Sequence, residues 1–131
     1  MPVRWYSVVV DCLDVRAQAE WWRTALDWRV AYEADDEVVL VPPRAFDTSR
    51  HIPVMERGPG LVFVEVAERK QVKNRLHLDL APRADEDHDA AVQRLVDLGA
   101  RPVDVGQGDT VPWVVLADPE GNEFCVLSPR D

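Results

Sequence analysis

Arg75, His77 and Asp79 stand at alternate positions of the run Arg75-Leu76-His77-Leu78-Asp79-Leu80. In an extended strand this spacing gathers a guanidinium, an imidazole and a carboxylate on one face and three leucines on the other. A polar face over a leucine back belongs either on a cleft wall, where the three groups offer polar contacts to a ligand, or on a solvated edge. The other histidines offer less. His51 falls in a proline-bearing stretch, either as a base that reaches a bound molecule or as an exposed loop side chain. His88 sits one turn before Val92 in a helical pattern and reads as a packing or capping residue.

Aromatic side chains supply the apolar counterpart. Five tryptophans is a high number for 131 residues. Trp22 fits a helical core stripe. Trp5, Trp28 and Trp113 fall in strand-like segments, where they wall a cleft for planar apolar ligands, pack a core or meet a second copy. Cys12 follows an apolar run and reads as a small buried hydrophobe. Gly106-Gln107-Gly108 has the glycines of a phosphate loop, but no helix or lysine follows, so it reads as a flexible turn. No Gly-x-Ser-x-Gly elbow and no paired-cysteine zinc motif occurs.

The elements that must hold these groups come in a repeated order. Trp5 to Val10 is β-branched and aromatic and predicts a strand. Asp14 stands where a helix N-cap would, and Val15, Ala19, Trp22 and Leu26 follow at helical spacing. Trp28 to Tyr32 and Glu37 to Val41 read as strands around the turn Ala34-Asp35-Asp36. Pro42 to Gly60 is irregular, either a binding loop or a mobile connector, before a strand at Leu61 to Val66. The second half repeats this grammar. A strand at Arg75 to Leu80 precedes a helix at Asp85 to Leu98, with acids at its start and Gly99 as its C-terminal cap. Strands follow at Arg101 to Val105, Val111 to Ala117 and Glu123 to Leu127, the last two joined by the turn Asp118-Pro119-Glu120-Gly121-Asn122. Strand, helix and three strands therefore occur twice, with Leu26-Asp27-Trp28-Arg29 echoed by Leu98-Gly99-Ala100-Arg101.

Composition closes off other classes. At 131 residues the chain suits one domain on the prior of roughly 100–200 residues each. An apolar share of 47% and a charged share of 30% exclude disorder and fibrous repeats. The net charge of −9, with no basic patch, opposes nucleic acid and anionic lipid alike. The apolar run that opens at Met1 ends at Asp11, and no window approaches the roughly 18 apolar residues of a membrane span. Two cysteines without CxxC spacing do not make a disulfide framework. A soluble, cytoplasmic protein is expected.

Several segments are together specific enough to name a family. In the first half these are Val8-Val9-Val10-Asp11-Cys12 leading into a helix with Trp21-Trp22, then Leu26-Asp27-Trp28. In the second they are Lys73 to Leu80, Leu98-Gly99-Ala100 and, most specific, Asp118-Pro119-Glu120-Gly121-Asn122-Glu123-Phe124-Cys125. With them the chain resembles the glyoxalase/bleomycin-resistance/dioxygenase (vicinal oxygen chelate) superfamily and, within it, the small bacterial glyoxalase-like domain proteins. The resemblance implies an α+β fold of two βαβββ modules, about 5–67 and about 75–128, forming a curved mixed sheet around a cleft in one domain over residues 1–131. It also implies a homodimer. Members of the superfamily include metal-dependent isomerases and dioxygenases as well as metal-free proteins that sequester drugs.

Metal-dependent members draw ligands from the first and last strands of each module. Carried onto this chain, those positions fall on Ser7, a poor ligand, on Val64 or Glu65 depending on register, on His77 and on Cys125. A set of His77, Glu65 and Cys125 suits zinc with an open position, and it supplies too few histidines for iron dioxygenase chemistry. The same residues serve equally as pocket lining. The leading expectation is thus a cleft that binds a small, partly apolar or aromatic molecule through His77, Arg75, Asp79, Trp5, Trp113 and Cys125, with or without turnover. The alternatives are a metal-dependent lyase, isomerase or epimerase using Zn, Fe, Mn or Ni, and a regulatory or assembly module.

Overall fold

The computed structural model describes residues 2–53 and 56–131. Met1, with which the first apolar run opens, and Val54 and Met55 of the long 42–60 stretch lie outside the described residues. The chain forms two compact units, Met1–Arg69 and Lys70–Asp131. Among the described residues no helix is long and apolar enough to cross a membrane.

In the first unit, β1 (Ser7–Cys12) leads into α1 (Val15–Leu26), and then β2 (Arg29–Glu33), β3 (Glu37–Val41) and β4 (Gly60–Glu65) follow. They form one mixed sheet in the order β1-β4-β3-β2. β1 runs parallel to β4, while β3 is antiparallel to both of its neighbours. The helix starts where it does because the Asp14 carboxylate accepts the Ala17 N–H at 3.1 Å, meeting one of the donors a first turn leaves open. It stops at Asp27, whose left-handed backbone (φ 55°) turns its N–H back to the Arg23 carbonyl. Val15, Ala19, Trp21 and Trp22 are buried on this helix, which packs on β3 and β4 over Val38, Leu40, Leu61 and Phe63. Each of the valines, leucines and the phenylalanine contributes about 1.5–3 kcal/mol by leaving water. Trp21 joins the expected stripe by meeting Trp22 edge to face at 5.0 Å. Cys12 is buried, as its place after an apolar run implied.

The second unit has the same plan: β5 (Asp79–Leu80), α2 (His88–Leu98), β6 (Arg101–Pro102), β7 (Val114–Ala117) and β8 (Glu123–Val126). Its sheet runs β5-β8-β7-β6, again with the first strand parallel to the last. Leu95, Leu116, Phe124 and Val126 are buried in its core. The echo between halves acquires a physical reason here. Asp27 and Gly99 are both helix C-caps at positive φ, and Arg29 and Arg101 both begin the next strand.

Several expected boundaries move, among them the first strand, expected over Trp5 to Val10 and found at Ser7–Cys12. The alternating run from Arg75 enters the ladder only at Asp79, because Arg75 and Leu76 lie in a bend and Leu76 is 88% exposed, with no core beneath it. The second helix begins at His88, since Asp87 is the residue whose carboxylate reaches the Ala90 N–H, at 3.0 Å. Glu86 is instead engaged with the Arg83 N–H in the preceding turn. β6 closes at Pro102 and β7 opens at Val114, although the Val103 N–H still reaches the Val115 carbonyl at 3.0 Å. The long stretch carries a 3₁₀ turn at Pro43–Phe46, and Arg44 donates to the carbonyls of Glu56 and Gly58 across it.

Candidate functional site

Strand parity in the second sheet sets the site. Asp79 lies opposite Cys125 across the parallel pair, and Cys125 lies opposite Val115 across the antiparallel one. Successive residues of a strand point to opposite faces, so Glu123, Cys125 and Leu127 share a side while Phe124 and Val126 turn toward the core. Along that side runs a cavity of about 330 Å³. Val105, Trp113, Val115 and Leu127 give it apolar walls, and Lys73, His77, Asp79, Glu123 and Cys125 give it polar ones.

The bend at Arg75–Leu76 brings His77 back over the start of β5. Its Nε2 lies 3.1 Å from Asp79 Oδ1, and both side chains are about half exposed. The ligand atoms of His77, Asp79 and Cys125 all lie within 4.8 Å of one another. Burial pushes the Cys125 thiol up, and the Asp79 carboxylate beside it, both as a charge and as a hydrogen-bond partner, adds to the effect; the Lys73 ammonium pulls weakly the other way. In the free protein Cys125 is therefore a protonated thiol rather than a ready nucleophile.

Glu123 is held differently. Burial works to raise its carboxyl. Backbone N–H bonds, including one from Asn74 at 3.1 Å, and the Lys70 ammonium at 3.1 Å outweigh burial and keep it below the usual carboxylate range. Asn74 also donates its side-chain N–H to the Glu123 carbonyl. Residues 70–74 are thus fastened along β8, which presents Lys73 to the cavity. Behind this, the Asp118–Asn122 turn sets where β8 begins. Asp118 is 1% exposed and its Oδ1 accepts the N–H groups of Glu120 and Asn122, while Gly121 takes φ 90°.

Of the residues singled out from the sequence, His77, Asp79, Trp113 and Cys125 meet around this cavity. Arg75 is exposed in the bend. Trp5 belongs to the first unit, is 67% exposed, and donates its indole N–H to the Ser7 carbonyl. Glu65 is also in the first unit, opposite Cys12 at the end of β4; it shares strand parity with Leu61 and Phe63, whereas Val64 shares it with Val62. The group that converges in the second unit has Asp79 as its carboxylate rather than Glu65. His51 is exposed, and His88 places Nε2 3.1 Å from the Val126 carbonyl, a packing contact at the start of α2. Lys73, Val105, Val115, Glu123 and Leu127 escaped the sequence reading. Alternation from Cys125 along β8 was the signal that could have found Glu123 and Leu127.

A model of the glyoxalase-like domain family matches residues 7–127. No curated protein matches the chain. Solved structures similar in fold include a glyoxalase/bleomycin resistance protein/dioxygenase family enzyme from Burkholderia phytofirmans PsJN, 16% identical over 96% of this chain and 98% of that one, with a TM-score of 0.67. A possible glyoxalase from Bacillus cereus is 15% identical, covering 92% and 95%, with a TM-score of 0.65. The fosfomycin resistance protein FosX from Listeria monocytogenes, complexed with manganese(II) and sulfate, is 12% identical, covering 98% and 90%, with a TM-score of 0.66.

Proposed function

The chain belongs to the glyoxalase-like domain family, and on that footing we propose that it binds a small, partly aromatic or apolar molecule in the cavity of its second unit. The observation that carries this reading is the make-up of the cavity wall. A tryptophan face and three aliphatic side chains stand beside a small number of polar groups, the usual composition of a small-molecule site. Trp113 offers a stacking surface. Asp79 orients the His77 ring through Nε2 and leaves Nδ1 to meet the ligand. At about 330 Å³ the cavity lies near the lower end of the usual 300–1,000 Å³ range, which favours a small molecule. A homodimer is the assembly that accompanies this reading, and sedimentation velocity checks it.

A thermal-shift screen of aromatic metabolites and antibiotics, followed by calorimetry on any hit, tests the proposal. Binding to the wild-type chain that weakens at least tenfold in Trp113→Ala supports it. A screen without a single stabilising compound, repeated with zinc present, sinks it.

One observation favours a second reading, a metal-dependent lyase, isomerase or epimerase. Imidazole, carboxylate and thiol within 4.8 Å form a donor set that fits a divalent ion of intermediate softness such as zinc, better than the harder manganese. His77, Asp79 and Cys125 would hold the ion, which when bound supplies Lewis-acid polarisation of a substrate oxygen. The Cys125 thiol must give up its proton to take part, so uptake would release acid. Elemental analysis of untagged protein purified without chelator tests this reading. About one ion per chain that disappears in His77→Ala supports it, and full metal content in that variant ends it.

A further inference from the structure

The charged groups of the cavity are not equally engaged. Glu123 has the Lys70 ammonium at 3.1 Å and the Asn74 N–H at 3.1 Å. Asp79 has the His77 ring at 3.1 Å. Lys73 is the exception. Among the described residues its ammonium has only the Asn74 carbonyl oxygen, at a long 3.4 Å, and no carboxylate partner. Lys73 is exposed, and its backbone is held from behind because the next residue, Asn74, is tied to Glu123 by both its backbone and its side-chain N–H. Its charge also reaches the Cys125 thiol across the cavity. A cation carried on a fastened segment, facing apolar walls and lacking a carboxylate of its own, is half of an ion pair.

We propose that the ligand supplies the other half: it is a small aromatic or branched aliphatic carboxylate, with its carboxylate on Lys73 and its hydrocarbon part against Trp113, Val105, Val115 and Leu127. Lysine suits this task as a compact point charge that needs no fixed fork geometry. A ligand's hydrocarbon part seated on the apolar walls would reduce the competition from water at the exposed ammonium and strengthen a charge-assisted bond. The nearby Asp79 and Glu123 do not cancel the attraction, since each already faces a cationic or N–H donor partner. They do select against a dianion, which would add a second negative charge beside two carboxylates. The inference rests on the cavity being the ligand site.

Calorimetric titration of the full chain with matched pairs separates the two ideas. The probes are phenylacetate against phenylacetamide, and 4-methylpentanoate against 4-methylpentanamide. Each carboxylate should bind about tenfold more tightly than its amide, the order expected for one charge-assisted contact. The gap should shrink as salt rises and vanish in Lys73→Gln, with amide affinity unchanged. Carboxylate and amide binding alike, both weakened by Trp113→Ala, overturns the Lys73 anchor while the cavity stands as the ligand site. A gap that persists in Lys73→Gln also overturns it, by placing the anion elsewhere. If no probe binds at millimolar concentration, this proposal fails, while the broader screen decides the cavity.

Discussion

The two units share a strand order and differ in how far each ladder runs. β1 and β5 both end in an aspartate one residue before the strand's last position, Asp11 and Asp79, and each faces a residue of the parallel last strand. In the first unit that partner is Val64, and in the second it is Cys125. The first unit's strands are five or six residues long, and its helix sets two tryptophans against the sheet. The second unit's strands run from two to four residues, and the segment before its short first strand, Lys73 to His77, carries two of the cavity's polar groups, Lys73 and His77. Regular pairing fixes every backbone donor and favours stability. A strand that starts late leaves a bend in which an imidazole can lean over its own neighbour. The same strand order thus gives a long ladder in one unit and, in the other, a short one beside the candidate cavity.

The sharpest way to break this comparison is to empty each core. Phe63 and Phe124 are 0% and 1% exposed, so each alanine substitution should cost about 3–5 kcal/mol in urea unfolding. Only Phe124→Ala should also change cavity binding, because Phe124 backs the cavity. A Phe63→Ala chain that loses less than about 1 kcal/mol would refute the core role of Phe63 in the first unit. Next in size is Asp118→Ala, which leaves the Glu120 and Asn122 N–H groups without their acceptor and should cost about 1–3 kcal/mol by thermal unfolding. Partial recovery in Asp118→Asn would confirm the turn as the cause.

The helix caps sharpen the comparison further. Gly99 sits at φ 121°, where a side chain is strained, and Asp27 at φ 55°, which aspartate tolerates. Gly99→Asp should therefore cost about 1–2 kcal/mol, while Asp27→Gly stays within about 0.5 kcal/mol. Equal effects would show that the two caps are interchangeable. The smallest effect is that of acid. Glu123 ionises more easily in the folded chain than in the unfolded one, so its stabilisation is present above the ordinary carboxylate value of 4.5 and drains as pH falls through its lower folded value. Lys70→Met should flatten that acid-side slope in thermal melts between about pH 5 and 3. An unchanged slope would mean that Lys70 does not hold Glu123.

Much of the fold was legible because its signals are local. Asp14 declares α1 by capping chemistry, and Asp118-Pro119-Glu120-Gly121-Asn122 declares the turn before β8 by backbone preference. The run Arg75 to Leu80 shows where local reading fails. Alternation names the two faces a strand would have, but whether a strand forms depends on a partner, and of this run β8 pairs with Asp79 and Leu80 and reaches back only to the Leu78 carbonyl. Leu76 looked like core and is exposed because burial is decided by what lies beneath. For the site, His77 and Asp79 were visible as types on one segment. Glu123 was within reach of alternation from Cys125, but Lys73 was not, since its place arises from the fastening of residues 70–74 to a strand some fifty positions later, which no short-range pattern encodes.

Parallel pairing of each module's first strand with its last has a consequence during synthesis. Ser7 cannot meet Gly60, nor Asp79 meet Cys125, until the later partner has left the ribosome. At about 5–20 residues per second, β1 waits roughly 3–10 seconds with Val8-Val9-Val10 unpaired. That interval favours α1, whose turns close locally, as the first cover for the strand. Protease challenge of ribosome-arrested chains should find β1 cut when arrest precedes Gly60 and protected once Glu65 has emerged. The metal-capable group is subject to the same clock: His77 and Asp79 are made early in their module and gain their thiol only when β8 arrives.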